Sequence, residues 1–184
     1  MSRVVVLING APRSGKDTLA QPLLEKYGFS KYKFTAPIDN TIKTLFNLSD
    51  EDFNRLREVE KDVPQEVFNG LTMRKVLIDL SEDFVKPRFG KDFFGRIGAD
   101  VVNKYSSSRV VVTDCGFGYE VQAFLDGLTK GTKVVGINTY REGYTFENDS
   151  RHLVRFENSI FNTGSVQDLQ DAGIKLLTKC DILK

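Results

Sequence analysis

Short runs that are apolar at every position alternate along this chain with longer stretches whose apolar residues recur every three or four positions. The runs Arg3 to Asn9, Tyr32 to Ala36, Arg109 to Thr113 and Thr132 to Thr139 read as strands. Lys16 to Tyr27, Pro37 to Asn47, Tyr119 to Thr129 and Val166 to Thr178 read as helices. Alternation of this kind predicts an α/β fold, a central parallel sheet flanked by helices. Val4-Val5-Val6-Leu7-Ile8 and Val110-Val111-Val112 carry no polar position, as central strands buried on both faces require. Between Ser49 and Gly70 the pattern turns acidic and helical, and Thr72 to Phe84 offers a further helix with Thr72 as its cap. This middle section, about residues 49–105, is expected to be a helical insertion over one end of the sheet, within a single domain spanning 1–184.

Composition narrows the picture. At 184 residues, 40% hydrophobic, the chain is long enough for a core without disulfides or structural metal. The Val4 to Ile8 run is far below the ~20 residues a membrane helix needs, and the start lacks the pattern of a secretory signal, so a cytoplasmic protein is expected. Cys115, Cys180 and the single His152 lie too far apart for a zinc site or a disulfide framework. Net charge is +1, which argues against a generally basic nucleic-acid coat. That neutrality is a cancellation: Asp50 to Glu66 holds seven acids and three bases, and Lys86 to Arg96 four bases and one acid.

The strongest chemical signal is Gly10-Ala11-Pro12-Arg13-Ser14-Gly15-Lys16, a G-x-x-x-x-G-K loop between a buried strand and an amphipathic helix. Such a loop turns its backbone N–H groups around phosphate oxygens, adds the positive end of a helix, and sends its lysine to the β and γ phosphates. Gly10, Ala11, Arg13, Ser14, Gly15, Lys16, Asp17 and Thr18 are therefore the expected ATP-binding residues. The position after the lysine, normally a hydroxyl on Mg²⁺, is Asp17. Its carboxylate could hold magnesium, or merely favour the helix N-terminus.

Through Arg13-Ser14-Gly15-Lys16-Asp17-Thr18 the chain resembles the phage deoxynucleoside monophosphate kinases, P-loop proteins of the nucleotide-kinase type. Lys31 to Ile38 is similar to that family's second strand and following helix. Arg74 opens a segment similar to its acceptor-side helix, and Ile160 to Ser165 looks like its closing strand and turn, which places Asn162 with the ATP-binding residues. One segment departs: where the family usually reads D-x-R-x-x-x-E, this chain has Asp114-Cys115-Gly116-Phe117-Gly118-Tyr119-Glu120. Losing an arginine suited to an acceptor phosphate is costly if the acceptor is a free monophosphate. The D-x-G-F-x-x-E pattern and Asp149-Ser150-Arg151 are similar to a second phage group, kinases of 5-hydroxymethyluracil within DNA. That resemblance implies a host-cell cytoplasmic setting and a hydroxymethyl acceptor.

Several other residues suit such chemistry. Asp114 closes a strand where a carboxylate reaches the magnesium shell, though capping the next helix explains it equally by spacing. Asp39, at the start of a helix, and Glu120 could face an acceptor, Asp39 as the base that takes a hydroxyl proton; surface capping is the equal alternative for Asp39. Lys86 to Arg96 interleaves Arg88, Lys91 and other cations with Phe89, Phe93 and Phe94, a pattern that fits stacked bases and tracked phosphates or, equally, core rings with a charged rim. Arg141 and Arg151 bracket a loop that reads as a lid over the transferring phosphoryl, with pairing to Glu142 or Asp149 as the competing explanation. His152 and Cys115 are expected to be incidental.

The expectation from sequence is thus a magnesium-dependent ATP phosphotransferase. Lys16, Asp39, Asp114, Arg141 and Arg151 are its catalytic residues and Asp17 and Asp114 its metal ligands. Arg74, Arg88, Phe89, Lys91, Phe93 and Glu120 would form the acceptor side. The leading acceptor is a hydroxymethylated pyrimidine in DNA, with a free dNMP as the alternative and a non-catalytic ATP-binding switch as a third.

Overall fold

The computed structural model describes residues 3–147 and 149–183. In chain order its principal elements are β1 (Val4–Gly10), α1 (Lys16–Lys26), β2 (Ser30–Tyr32), α2 (Ala36–Leu45), α3 (Asp50–Asn54), α4 (Met73–Ile78), α5 (Lys86–Phe89), α6 (Phe93–Lys104), β3 (Arg109–Val112), α7 (Gly118–Gly127), β4 (Lys133–Tyr140), β5 (Asn158–Phe161) and α8 (Val166–Lys179). They form two compact units, one of residues 1–34 with 95–184 and one of residues 35–94.

In the first unit the strands lie in the order β2-β3-β1-β4-β5, every pair parallel, as the unbroken apolar runs predict. Val6 sits opposite Val111 on one side and Val135 on the other, so the three central strands align their valines in one layer. Alternate side chains face opposite ways along a strand. Val6, Ile8, Val111 and Ile137 join Leu19 and Leu23 of α1 and Leu169 and Leu177 of α8 in one cluster. On the other face Phe34 and Phe124 meet edge to face at 5.3 Å, against Gly98 of α6. Residues Val5 to Ile8 are fully buried, each such side chain worth roughly 1.5–3 kcal/mol of apolar burial. The strand expected over Tyr32 to Ala36 lies earlier, ending at Tyr32, because Tyr32 and Phe34 turn inward as core aromatics and Thr35 precedes a helix.

After β4 the chain returns across the sheet as an extended strap. Two buried asparagines near the ends of β1 and β4 hold it, supplying the hydrogen bonds that an extended segment outside a strand ladder lacks. Asn138 donates to the Val154 carbonyl at 2.7 Å and accepts from the Phe156 N–H at 2.7 Å. Asn9 accepts from the Val154 N–H at 3.2 Å and donates to the carbonyls of Cys115 at 2.5 Å and His152 at 3.2 Å. The Arg151 end of the expected lid is therefore fastened to the sheet.

The second unit is helical. Ser49 caps α3 and Thr72 caps α4, each hydroxyl accepting a backbone N–H three residues on. From α4 the chain continues through a wide π turn, Asp79–Val85, into α5, so the predicted Thr72 to Phe84 helix is present but not uniformly α. Phe46 meets Phe68 edge to face at 4.8 Å, and Leu56 and Met73 are fully buried, giving this unit its own small core.

Candidate active site

The phosphate loop follows β1 and opens α1, as its sequence requires. Gly15 adopts φ +101°, a conformation open mainly to glycine, and a Cβ there would stand 2.7 Å from both Asn162 Nδ2 and Leu169 Cδ2. Asn162, carried to the site by β5, donates to the Ser14 carbonyl at 3.1 Å. Ser14 is buried, with its hydroxyl 2.8 Å from that of Thr139. The loop is thus braced from β4 and β5 before any phosphate arrives.

Lys16 folds back onto its own loop, donating to the carbonyls of Gly10 at 2.8 Å and Ala11 at 2.7 Å. Burial, aided by repulsion from Arg151, brings its pKa down to about 8 against the opposing pull of Asp17 and Asp149. A bound polyphosphate favours the ammonium form, so above pH 8 binding must draw a proton from solvent. We expect ATP titrations at pH 8.5, compared in buffers of different ionisation enthalpy, to show uptake of about three quarters of a proton. Uptake should vanish at pH 6.5, where Lys16 is already charged, and at every pH in Lys16→Ala.

At the end of β3, Thr113 and Asp114 face the loop from the neighbouring strand. Asp17 accepts from Lys31 Nζ at 2.6 Å and from the Thr113 hydroxyl at 2.9 Å. Burial alone would raise its pKa, but Lys31, Thr113 and Lys33 outweigh it and hold the carboxyl below its usual range. Asp114 accepts the Phe34 N–H at 2.9 Å. Two carboxylates beside a phosphate loop are the oxygen donors magnesium takes, together with nucleotide phosphates. Asp17 and Asp114 would be the carboxylates offered to the expected magnesium, and the ion would supply Lewis-acid neutralisation of phosphate charge.

Two recesses adjoin the loop. The larger, about 420 Å³, is walled by Arg13, Lys16, Arg141, Tyr144, Asn162 and Val166, with others. Arg141 stacks on Tyr144 at 4.9 Å and donates to the Arg13 carbonyl at 3.4 Å. The smaller recess gathers Lys16, Asp114, Gly116, Phe146 and Arg151. Arg151 is gripped by Asp149, Nε to Oδ1 at 2.8 Å and Nη2 to Oδ2 at 2.5 Å, the pairing weighed as its alternative role. His152 is structural after all. Its Nε2 accepts the Gly118 N–H at 3.1 Å, its N–H donates to the Gly116 carbonyl at 2.9 Å, and its ring meets Phe117 edge-on. Cys115 is buried, which pushes its thiol well up, so no nucleophile stands there.

The remaining expected residues are described by their contacts within their own units. Glu120 of α7 is buried in the first unit. In the second unit, Asp39 pairs with Arg57 at 3.1 Å and accepts the Thr35 hydroxyl, and Arg74 forms a two-pronged pair with Asp62. The basic run of Lys86 to Arg96 divides between the units after Phe94. Lys86 is buried, pairs with Glu82 at 2.7 Å and lies over Phe94. Arg88 stacks on Phe84 at 4.4 Å and donates to the carbonyls of Asp83 and Phe84. Phe89 meets Phe93 at 5.5 Å, Phe93 meets Phe94 edge to face, and Lys91 is exposed. Lys86 and Arg88 thus make contacts within the second unit that the interleaved spacing did not reveal. Tyr144, Lys31 and Thr113 are site residues that sequence reasoning passed over, none belonging to a motif.

Fold and loop together define a P-loop α/β domain, a parallel sheet flanked by helices with a G-x-x-x-x-G-K loop between β1 and α1. A solved structure described as a "putative kinase" from Chloroflexus aurantiacus covers 97% of this chain and 97% of its own, at TM-score 0.50 and 9% identity, a likeness of fold alone. Dephospho-CoA kinase from Campylobacter jejuni is similar over 98% of each chain, at TM-score 0.48 and 14% identity. In sequence, the chain is 31% identical over 128 residues to a "putative deoxynucleotide monophosphate kinase" of Acanthamoeba polyphaga mimivirus, a match spanning 64% of this chain and 66% of that protein. No family model matches the chain. Among the described residues no helix is long and apolar enough to cross a membrane.

Proposed function

We propose that this chain is an ATP-dependent kinase whose acceptor is a deoxynucleoside monophosphate. The observation that carries this reading is the phosphate loop with Lys16, Asp114 and Arg151 lining one narrow recess of about 10 Å³ beside it, two cations and a carboxylate drawn together at the loop where phosphate charge would gather. The name of the viral relative supports it. An oxygen of the acceptor phosphate attacks the γ-phosphorus of ATP, the bond to the β-bridging oxygen breaks, and ADP and a dNDP result. Lys16 and the loop amides hold the polyphosphate, Arg151 offsets the repulsion between the two phosphates, and Asp17 and Asp114 hold the metal. The flat surfaces of Arg141 and Tyr144 suit the base of ATP.

The hydroxymethyl-in-DNA reading leaned on the missing arginine after Asp114 and on the Lys86 to Arg96 run. Arg151 now stands over Gly116, and Lys86 and Arg88 make internal contacts. A hydroxyl acceptor also needs a base, whereas a phosphate oxygen is already ionised, and Asp39 spends its charge on Arg57. Incubation with γ-labelled ATP, a dNMP mixture and a 5-hydroxymethyluracil oligonucleotide tests the choice. Label should appear in dNDP. Label in the oligonucleotide, with log affinity for it falling against log salt at a slope of about −3 to −4, would overturn the reading.

A further inference from the structure

Gly116 sits two residues beyond Asp114 at a tight backbone turn, its N–H donating to the Asp114 carbonyl at 2.7 Å. Its backbone does not explain the glycine, since it is not among the positive-φ glycines of the structure. Space does: a Cβ on Gly116 would lie 2.6 Å from Arg151 Cγ, 2.7 Å from Cδ and 2.9 Å from Cβ. Real atoms do not approach so closely, so any side chain at 116 must push the Arg151 stem away. The strap is registered against the same residue, because the His152 N–H donates to the Gly116 carbonyl and the His152 ring accepts from Gly118 at the start of α7. From this seat the guanidinium, held in plane by Asp149, reaches the recess shared with Lys16 and Asp114.

We infer that Gly116 is a positioning residue that seats Arg151 as the ligand of the phosphate group facing Lys16. Deleting the side chain at 116 makes room for an arginine delivered from 35 positions further along the chain. The inference rests on the phosphate-transfer reading above, but its central contact can be measured without any substrate.

The test is a double-mutant cycle of Gly116→Ala and Arg151→Ala. Residues that act through one another give non-additive effects. Gly116→Ala should lower kcat/KM for a dNMP roughly tenfold and Arg151→Ala roughly a hundredfold, on the scale of removing or misplacing one preorganised charged donor. The double variant should be no worse than Arg151→Ala alone. Thermal midpoints should couple in the same direction: Gly116→Ala lowers Tm in the natural background and much less when the Arg151 stem is gone, since the remaining Cβ contact needs only a small shift. Additive losses in activity and Tm, or a Gly116→Ala variant with unchanged kinetics, would overturn the inference. If Gly116→Ala does not fold, a folded double variant with Arg151→Ala activity supports it, and an unfolded one overturns it. Should the natural protein label no dNMP, the functional reading fails separately. The cycle is then read on calorimetric binding of inorganic tripolyphosphate, where each single variant is expected to bind about five- to tenfold more weakly and the double no more weakly than Arg151→Ala. Additive losses there also count against it.

Discussion

Replacing Lys16 by alanine is expected to cost roughly 10²–10³ in turnover, about 3–4 kcal/mol, the scale of removing one preorganised charge donor. The magnitude follows from where the ammonium sits. It is partly buried at the loop, and that burial, with repulsion from Arg151, brings its pKa down to about 8 although Asp17 and Asp149 pull the other way. A charge kept in such surroundings interacts with phosphate far more strongly than one in water. That ammonium donates to the carbonyls of Gly10 and Ala11, and a polyphosphate must compete with them. The loss should fall on both ATP affinity and kcat, because Lys16 touches the donor phosphates before and during transfer. Folding should be unharmed, and Tm should hold or rise slightly. A lysine whose folded pKa lies below its unfolded value of 10.5 opposes folding below pH 8, and that penalty fades as pH climbs from 8 to 10.5. Steady-state kinetics with a thermal melt on the same sample checks both halves. A Lys16→Ala enzyme within tenfold of the natural rate would remove the loop lysine from the mechanism.

The phosphate loop and the sheet were legible because their information is local. A G-x-x-x-x-G-K run fixes a strand end, a turn and a helix start within seven residues, and all-apolar runs announce buried strands without knowledge of their neighbours. What escaped the sequence has the opposite character. The Gly116 to Arg151 contact joins positions far apart, and the glycine matters through atoms it lacks, so from sequence it read as the loss of an arginine rather than a seat for one. His152 looked incidental because two of its three hydrogen bonds run through its own backbone atoms. Asn9 and Asn138 are the clearest case. They belong to no motif, yet they are buried amides that fasten the strap over the sheet. In the Lys86 to Arg96 run the charge pattern could not tell which cation is internal: Lys86 is buried against Glu82 and Phe94, whereas Lys91 is exposed.

Asp114 carries the second large effect, and its two roles can be separated by choice of replacement. One oxygen accepts the Phe34 N–H at 2.9 Å, fixing the chain just after β2, and the residue stands at the end of β3 where magnesium is expected. Asparagine keeps a carbonyl oxygen for the Phe34 N–H but removes the negative charge. Alanine removes both and leaves a partly buried N–H without its acceptor, a loss of about 1–3 kcal/mol. Asp114→Asn should therefore melt within a degree or two of the natural protein, and Asp114→Ala several degrees lower, since about 1 kcal/mol moves Tm by roughly 2–4 °C in a chain of this size. Activity should not follow that order. Both variants should lose roughly 10²–10³ in kcat, the several kcal/mol that metal neutralisation of a transferring phosphoryl supplies. The magnesium concentration for half-maximal rate should rise in both. A carboxylate that served only as a structural acceptor would give the contrary result, with Asp114→Asn nearly as active as the natural protein and its magnesium dependence unmoved.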